Sequence, residues 1–282
     1  MGRIGTPSAL DRGIDATLRH DRWVTLGSLA GVVVVAWLYL WHTATGMDQA
    51  SMSMSAMPGM PAMPGMPAMP GIPPAPRATD AAAFGLALVM WTVMMAGMML
   101  PGAAPTVLLY GAIVRKNGAR GTALPGVWIF ASAYLLVWAC FSVVATVLQT
   151  LLERASLLTP TLAAASTGAA ALALIVAGVY QLTPLKRSCL ARCRNPFEFF
   201  MTRWRAGPGG AFRMGLEHGA YCVGCCWALM LLLFVAGVMN LAWVALIAAF
   251  VFVEKLFPAV RLVSPLASTA LIIAGLFLLA RA

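Results

Sequence analysis

The chain has 282 residues, of which 61% are hydrophobic and only 10% charged, with a formal net charge of +10. A chain of this length and polarity cannot hide its apolar residues in a soluble core, which excludes a soluble globular domain and points to an integral membrane protein. Its positive charge falls in short loops, as shown below, so the implied partner is the lipid bilayer and no nucleic acid is called for.

A bilayer core of about 30 Å takes roughly 20 mainly apolar residues in a helix. Seven stretches qualify or nearly qualify: 24–42, 82–113, 126–152, 161–185, 214–239, 241–258 and 264–280. The expected fold is all-α, a polytopic transmembrane helix bundle of about seven spans. The first run is long and ends in Trp37, Tyr39 and Trp41, an interfacial aromatic belt without a small-residue cleavage site. It is therefore expected to stay as a helix rather than be removed as a signal peptide. With the N-terminus inside, the cytoplasmic segments hold sixteen Lys and Arg residues and the outer ones only Arg77, Arg154 and Arg281. That asymmetry predicts a cytoplasmic N-terminus and a multi-pass protein of the bacterial cytoplasmic (inner) membrane. Three regions follow: a tail and first transmembrane helix (1–46), a Met/Pro-rich periplasmic loop (47–80), and a six-helix transmembrane domain (81–282) with a basic, cysteine-containing cytoplasmic loop (186–213).

The outer loop contains eight methionines between Met47 and Arg77. From Met57 the repeat is Met-Pro-Gly or Met-Pro-Ala, and proline in every triplet favours an extended polyproline II helix of three residues per turn. Met57, Met60, Met63, Met66 and Met69 would then line one edge, about 9 Å apart. Thioethers are soft ligands that favour Cu(I) and survive in an oxidising compartment. A string of weak copper sites and a flexible linker are both open readings of this loop.

In the second stretch, MWTVMMAGMMLPGAAP places Met90, Met94 and Met98 on one helical ridge and Met95 and Met99 on the ridge beside it. Methionine also fills irregular core gaps, so such a stripe is packing or a thioether surface. Pro101 and Pro105 would bend the helix and free carbonyls.

The inner loop carries Cys189 and Cys193 in KRSCLARCRNP. If helical, the pair shares a face, and Lys186, Arg187, Arg192 and Arg194 favour its thiolates. It is either a soft-metal or redox pair, or an ordinary interfacial turn.

The fifth stretch contains HGAYCVGCCW. At about 100° per residue, Cys225, His218, Cys222 and Cys226 fall near −20°, 0°, 40° and 80°, one face spread over little more than two turns. One buried cysteine is commonly a small hydrophobe. Three with a histidine on a single face form a candidate metal site, deep in the membrane or in its inner half. Gly215, Gly219 and Gly224 would let a neighbouring helix approach closely. Zn(II) would want a closed set of charged thiolates, whereas Cu(I) accepts two or three soft ligands and leaves less net charge, so copper is the expected cargo. Asn240 reads as a cap or turn residue. Glu254 and Lys255 read as an interfacial ion pair with Arg213 or Glu217 rather than a proton or metal gate.

The segments MWTVMMAGMMLP, YQLTPLKRSCLARCRNP and GLEHGAYCVGCCWALMLLLFVAGVMNLAWVALIAAFVFVEK, in this order, resemble the uncharacterised bacterial family described as predicted metal-binding integral membrane proteins. The resemblance covers roughly residues 80–258. It implies a metal-associated membrane function carried on Met94, Met95, Met98, Met99, Cys189, Cys193, His218, Cys222, Cys225, Cys226, Glu254 and Lys255. The Met/Pro loop lies outside it.

Ordered along the expected topology, the ligands run from outer methionines, through Met94, Met95, Met98 and Met99, to His218 and the fifth-span cysteines, and then to Cys189 and Cys193 in the cytoplasm. The expected function is Cu(I) capture outside and passage inward, or delivery to a copper-dependent membrane enzyme or chaperone. No catalytic residue and no nucleotide-binding loop is expected, so movement would be passive or driven by a partner. A homo-oligomer could share the ligands. A transmembrane thiol oxidoreductase is the alternative, weakened by the position of Cys140 inside the third stretch; an accessory or assembly subunit with packing cysteines is the other.

Overall fold

The structure, a computed structural model, describes residues 9–55, 81–116, 124–159, 162–164, 166–257 and 263–281, with side chains of the first helix described for 22–46. Among these residues the regular structure is helical apart from one β-bridge between Leu158 and Ala164. The helices are α1 (Ala9–Ser55), α2 (Ala81–Lys116), α3 (Leu124–Arg154), α4 (Thr167–Leu182), α5 (Pro184–Arg194), α6 (Pro196–Arg203), α7 (Gly207–Leu231), α8 (Leu233–Ala236), α9 (Leu241–Leu256) and α10 (Val263–Leu279).

Four helical segments are long and apolar enough to cross a membrane: Arg22–Gly46, Ala81–Lys116, Leu124–Arg154 and Gly207–Ala236. The fourth sequence stretch forms α4, and the start of the inner loop forms α5; the two are bent by 66° and make a fifth crossing only if taken together. The last two stretches form helices of 16 and 17 residues. At 1.5 Å per residue they are about 24–26 Å long, short of a full crossing by length alone. Large apolar side chains such as Val35, Leu172, Leu246 and Leu266 face outward without polar cover, as they do where lipid is the solvent.

Helix α1 runs on through Met47–Ser55, where the sequence suggested the start of an irregular loop. No proline occurs between Ala9 and Pro58 to stop it. The Met-Pro triplets themselves lie outside the described residues.

The break between α4 and α5 is written in Thr183-Pro184. A residue preceding proline is driven out of the helical region, and Thr183 sits at φ −67°, ψ 147°. Its hydroxyl accepts the backbone N–H of Lys186 and so caps α5. Asn240 caps α9 by accepting the N–H of Trp243, after a turn in which Gly237 takes φ +95°.

Two close helix crossings are built on glycine. A Cβ at Gly215 would run into the Phe130 carbonyl of α3, and one at Gly219 would lie 2.9 Å from Val137, so α3 and α7 pack nearly backbone to backbone. Gly178 and Gly275 do the same for α4 and α10, where Ser268 donates to the Gly178 carbonyl at 2.6 Å. The core between α2, α3, α7 and α9 holds Trp91, Met94, Met95, Met99, Tyr134, Trp138 and Met214, all almost fully buried.

Candidate metal centre

Helix α7 buries His218, Cys222, Cys225 and Cys226 together, as the 100° periodicity requires, with the three cysteines each 1% exposed. Their surroundings separate them into two neighbouring environments. His218 sits among the rings of Phe130, Tyr134 and Phe199, with centroids 5.7–6.1 Å away, and its Nδ1 is buried without a partner among the described residues.

One turn further on is a sulfur cluster. Cys226 Sγ lies 4.0 Å from Met99 Sδ on α2. Cys222 Sγ meets the Tyr134 hydroxyl of α3 at 3.1 Å and the Lys255 ammonium of α9 at 2.9 Å. The same ammonium is 3.7 Å from Met99 Sδ. Tyr134 also donates to the Met99 carbonyl at 3.2 Å. Four helices thus meet at Met99, Tyr134, Cys222 and Lys255. Lys255 gets there because α2 has no side chain at Gly102: a Cβ there would lie 3.1 Å from Lys255 Cδ.

The thiols of Cys225 and Cys226 donate back to the Cys222 carbonyl, at 3.1 and 2.9 Å. That geometry gives both sulfurs a partner within their own helix in a low-dielectric interior.

The inner cysteine pair is placed differently from the sequence reading. In place of an irregular turn there is a helix, α5, and it lies along α7. Cys193 is buried beside Cys225, and Cys189 fills the space over Gly224, its Sγ 2.8 Å from where a Cβ would be. Tyr180 donates to the Gly224 carbonyl, and Arg192 bonds to the Tyr221 hydroxyl while lying over its ring at 4.7 Å. Five cysteines therefore belong to one region, with Cys189 and Cys193 packed against the α7 group rather than set apart from it. Cys140 is on the outer surface of α3, away from it.

Glu254 and Lys255 are also placed differently. Glu254 takes both oxygens to Lys186 Nζ, at 2.9 and 2.8 Å, in a fully buried pair. Lys255 turns to the sulfurs. Glu217 is left to Arg203, Arg205 and Arg213, at 3.3–3.9 Å. The end of α9 is packed between α2 and α5, out of reach of the mouth of α7, and that is why the expected pairs do not form.

Of the methionines, Met90, Met94, Met95, Met98 and Met99 are all buried, and the Met99 sulfur lies 4.0 Å from that of Cys226. Sequence reasoning missed Tyr134 and the sulfur contact of Lys255. The signal for Tyr134 was the general one that a tyrosine deep in an apolar run needs a partner for its hydroxyl.

The donor set is soft: thiols and one thioether. Among the described residues no three of His, Cys, Asp or Glu stand close enough together to hold a metal ion. With metal–sulfur bonds of about 2.3 Å, two sulfurs on one ion lie at most about 4.6 Å apart. The 4.0 Å between Cys226 and Met99 lies within that reach and corresponds to an angle of about 120° at the ion, suited to trigonal coordination with a third soft ligand.

A family model described as PpoB2, copper chaperone, matches residues 88–278, about two thirds of the chain. The match takes in α3 to α9, nearly all of α2 and α10, and every residue of the sulfur cluster; α1 and the Met/Pro segment precede it. No curated protein and no solved structure matches the chain.

Proposed function

The chain belongs to the PpoB2 copper chaperone family, and from that premise we propose that it binds Cu(I) between Cys226 and Met99, with Cys222 as a third sulfur, and delivers it to a partner. The observation that carries this reading is the 4.0 Å sulfur pair beside the Lys255 ammonium. Cu(I) is stable with two or three soft ligands, which suits a cluster too sparse for tetrahedral Zn(II).

Charge balance favours the same ion. Two thiolates and one Cu(I) leave one negative charge, and Lys255 offsets it without an exchange of solvent. Loading requires the thiols to lose their protons, so the hydrogen bonds from Cys225 and Cys226 to the Cys222 carbonyl are exchanged for metal–sulfur bonds. Cys225, Cys193 and Cys189 stand next to the first sites as onward acceptors, with His218 one turn away.

The bundle sits in the bacterial cytoplasmic membrane with its N-terminus inside. Arg115, Lys116, Arg187, Arg194, Arg203 and Arg205 then face the cytoplasm at the end of the bundle that carries α5 and α6. Buried Met90, Met94, Met95 and Met98 lead from the opposite end towards Met99 and offer weak, exchangeable sites for copper arriving through the Met/Pro segment. Transfer runs by ligand exchange towards the stronger thiolates and on to a copper-dependent membrane enzyme or chaperone.

The test is copper content by mass spectrometry on protein purified anaerobically from copper-supplemented cells, with sulfur coordination read by X-ray absorption. About one copper per chain, lost in Cys226→Ser, is expected. No copper in either protein, with thiols that titrate as a redox couple, would overturn the proposal and leave the oxidoreductase reading.

A further inference from the structure

A second polar cavity lies outside the sulfur cluster, at the corner where α4 bends into α5 and meets the start of α10. It has a volume of about 570 Å³ and is lined by Gln181, Lys186, Arg187, Arg194 and Ser264, with Leu182, Leu190 and Pro265. Three of these residues are cations and none is an acid. Glu254 neutralises one of them from behind, receiving Lys186 on its carboxylate and Arg194 on its backbone carbonyl. Arg187 spends one bond on the Leu182 carbonyl and keeps its remaining donors.

Gln181 is the second observation. It is only 4% exposed, yet neither its Oε1 nor its Nε2 has a partner among the described residues. Buried amide groups left so carry a desolvation cost, and a ligand that supplies both an acceptor and a donor removes it.

We infer that this cavity binds the headgroup of an anionic phospholipid. A phosphodiester takes the guanidinium and ammonium donors and the Gln181 Nε2, and a headgroup hydroxyl serves Gln181 Oε1. The volume suits a headgroup rather than a lone ion. The outward-facing Leu182, Leu185 and Leu266 beside the corner provide an apolar track for acyl chains. Basic pockets between helices on the cytoplasmic side are where such headgroups bind. The inference rests on the membrane seating proposed above and is independent of copper. Its consequence is a brace on α5, the helix that holds Cys189 and Cys193 against α7.

The experiment measures lipid binding to the full chain in detergent by native mass spectrometry, with phosphatidylglycerol, phosphatidylcholine and inorganic phosphate as separate probes. Retention of phosphatidylglycerol over phosphatidylcholine is expected, and Arg187→Gln should weaken it by about tenfold, the scale of one charge-assisted hydrogen bond. Gln181→Leu, which replaces an unpartnered amide with an apolar group, should leave a folded protein with the same loss of preference. Equal binding of the two lipids, undiminished binding in both variants, or competition by inorganic phosphate at concentrations similar to those of the lipid would overturn the inference. The last of these would assign the site to free phosphate.

Discussion

The ammonium of Lys255 lies 2.9 Å from the sulfur of Cys222, although the two residues sit on different helices and 33 positions apart. A lysine in a nearly apolar bundle is costly unless something negative stands beside it. Here it meets a thiol and a thioether, and the thiol in turn meets the Tyr134 hydroxyl. The arrangement makes sense as a standing counter-charge for thiolates that form when metal arrives.

Lys255→Met tests that role. The thioether side chain is of similar length and removes the charge. The protein should fold and bind copper about 10–100-fold more weakly, as loss of an outer-shell partner does. Competition with a Cu(I) chelator of known affinity measures this. Unchanged affinity would assign Lys255 to packing alone.

Met99→Leu separates the ligand from the packing residue. The swap nearly conserves volume and should cost less than about 1.5 kcal/mol of stability. Copper affinity should fall at least as far as for Lys255→Met, and X-ray absorption should show one sulfur fewer at the metal. Met95→Leu, equally buried, is the control and should leave copper binding near that of the natural protein.

These two residues also mark how far the sequence could be read. Periodicity alone placed His218, Cys222, Cys225 and Cys226 on one face, because helical geometry is local. The close approaches at Gly215 and Gly219 and the cap at Asn240 were legible for the same reason. The position of α5 was not. KRSCLARCR is so basic that it reads as a solvated loop, and what seats it in the bundle is a pairing between Lys186 and Glu254, 68 residues apart. Lys255 was misread likewise: charges at the end of an apolar run usually stay at the surface, but Glu254 and Lys255 both turn inward, to Lys186 and to the sulfurs.

The Lys186–Glu254 pair makes a stability prediction. Each partner is about 1–2% exposed, so removing one strands the other in the interior. Lys186→Met or Glu254→Leu alone should destabilise by about 3–5 kcal/mol. The double variant should recover most of that loss, since two apolar side chains of similar volume replace a pair whose desolvation cost roughly matches its attraction. Thermal unfolding of the four proteins in one detergent gives the cycle. Additive losses in the double variant would mean that the two charges act independently, contrary to the geometry.

Gly224→Ala tests whether the two cysteine groups form one region. A Cβ at this position would lie 2.8 Å from Cys189 Sγ, closer than the two atoms can stand. The sulfur ends a short, rotatable side chain, so the local response is for Cys189 to turn away from α7 while the helices hold. By contrast, Gly215→Ala meets the backbone carbonyl of Phe130 and should weaken the whole α3–α7 crossing. Cys189 in Gly224→Ala should therefore react faster with a thiol reagent than in the natural protein, with little change in unfolding temperature. Copper bound at Cys226 and Met99 should stay, and its onward transfer should slow, because one of the acceptors on α5 has moved. Unaltered thiol reactivity would mean that Cys189 does not rest on Gly224 in the working protein.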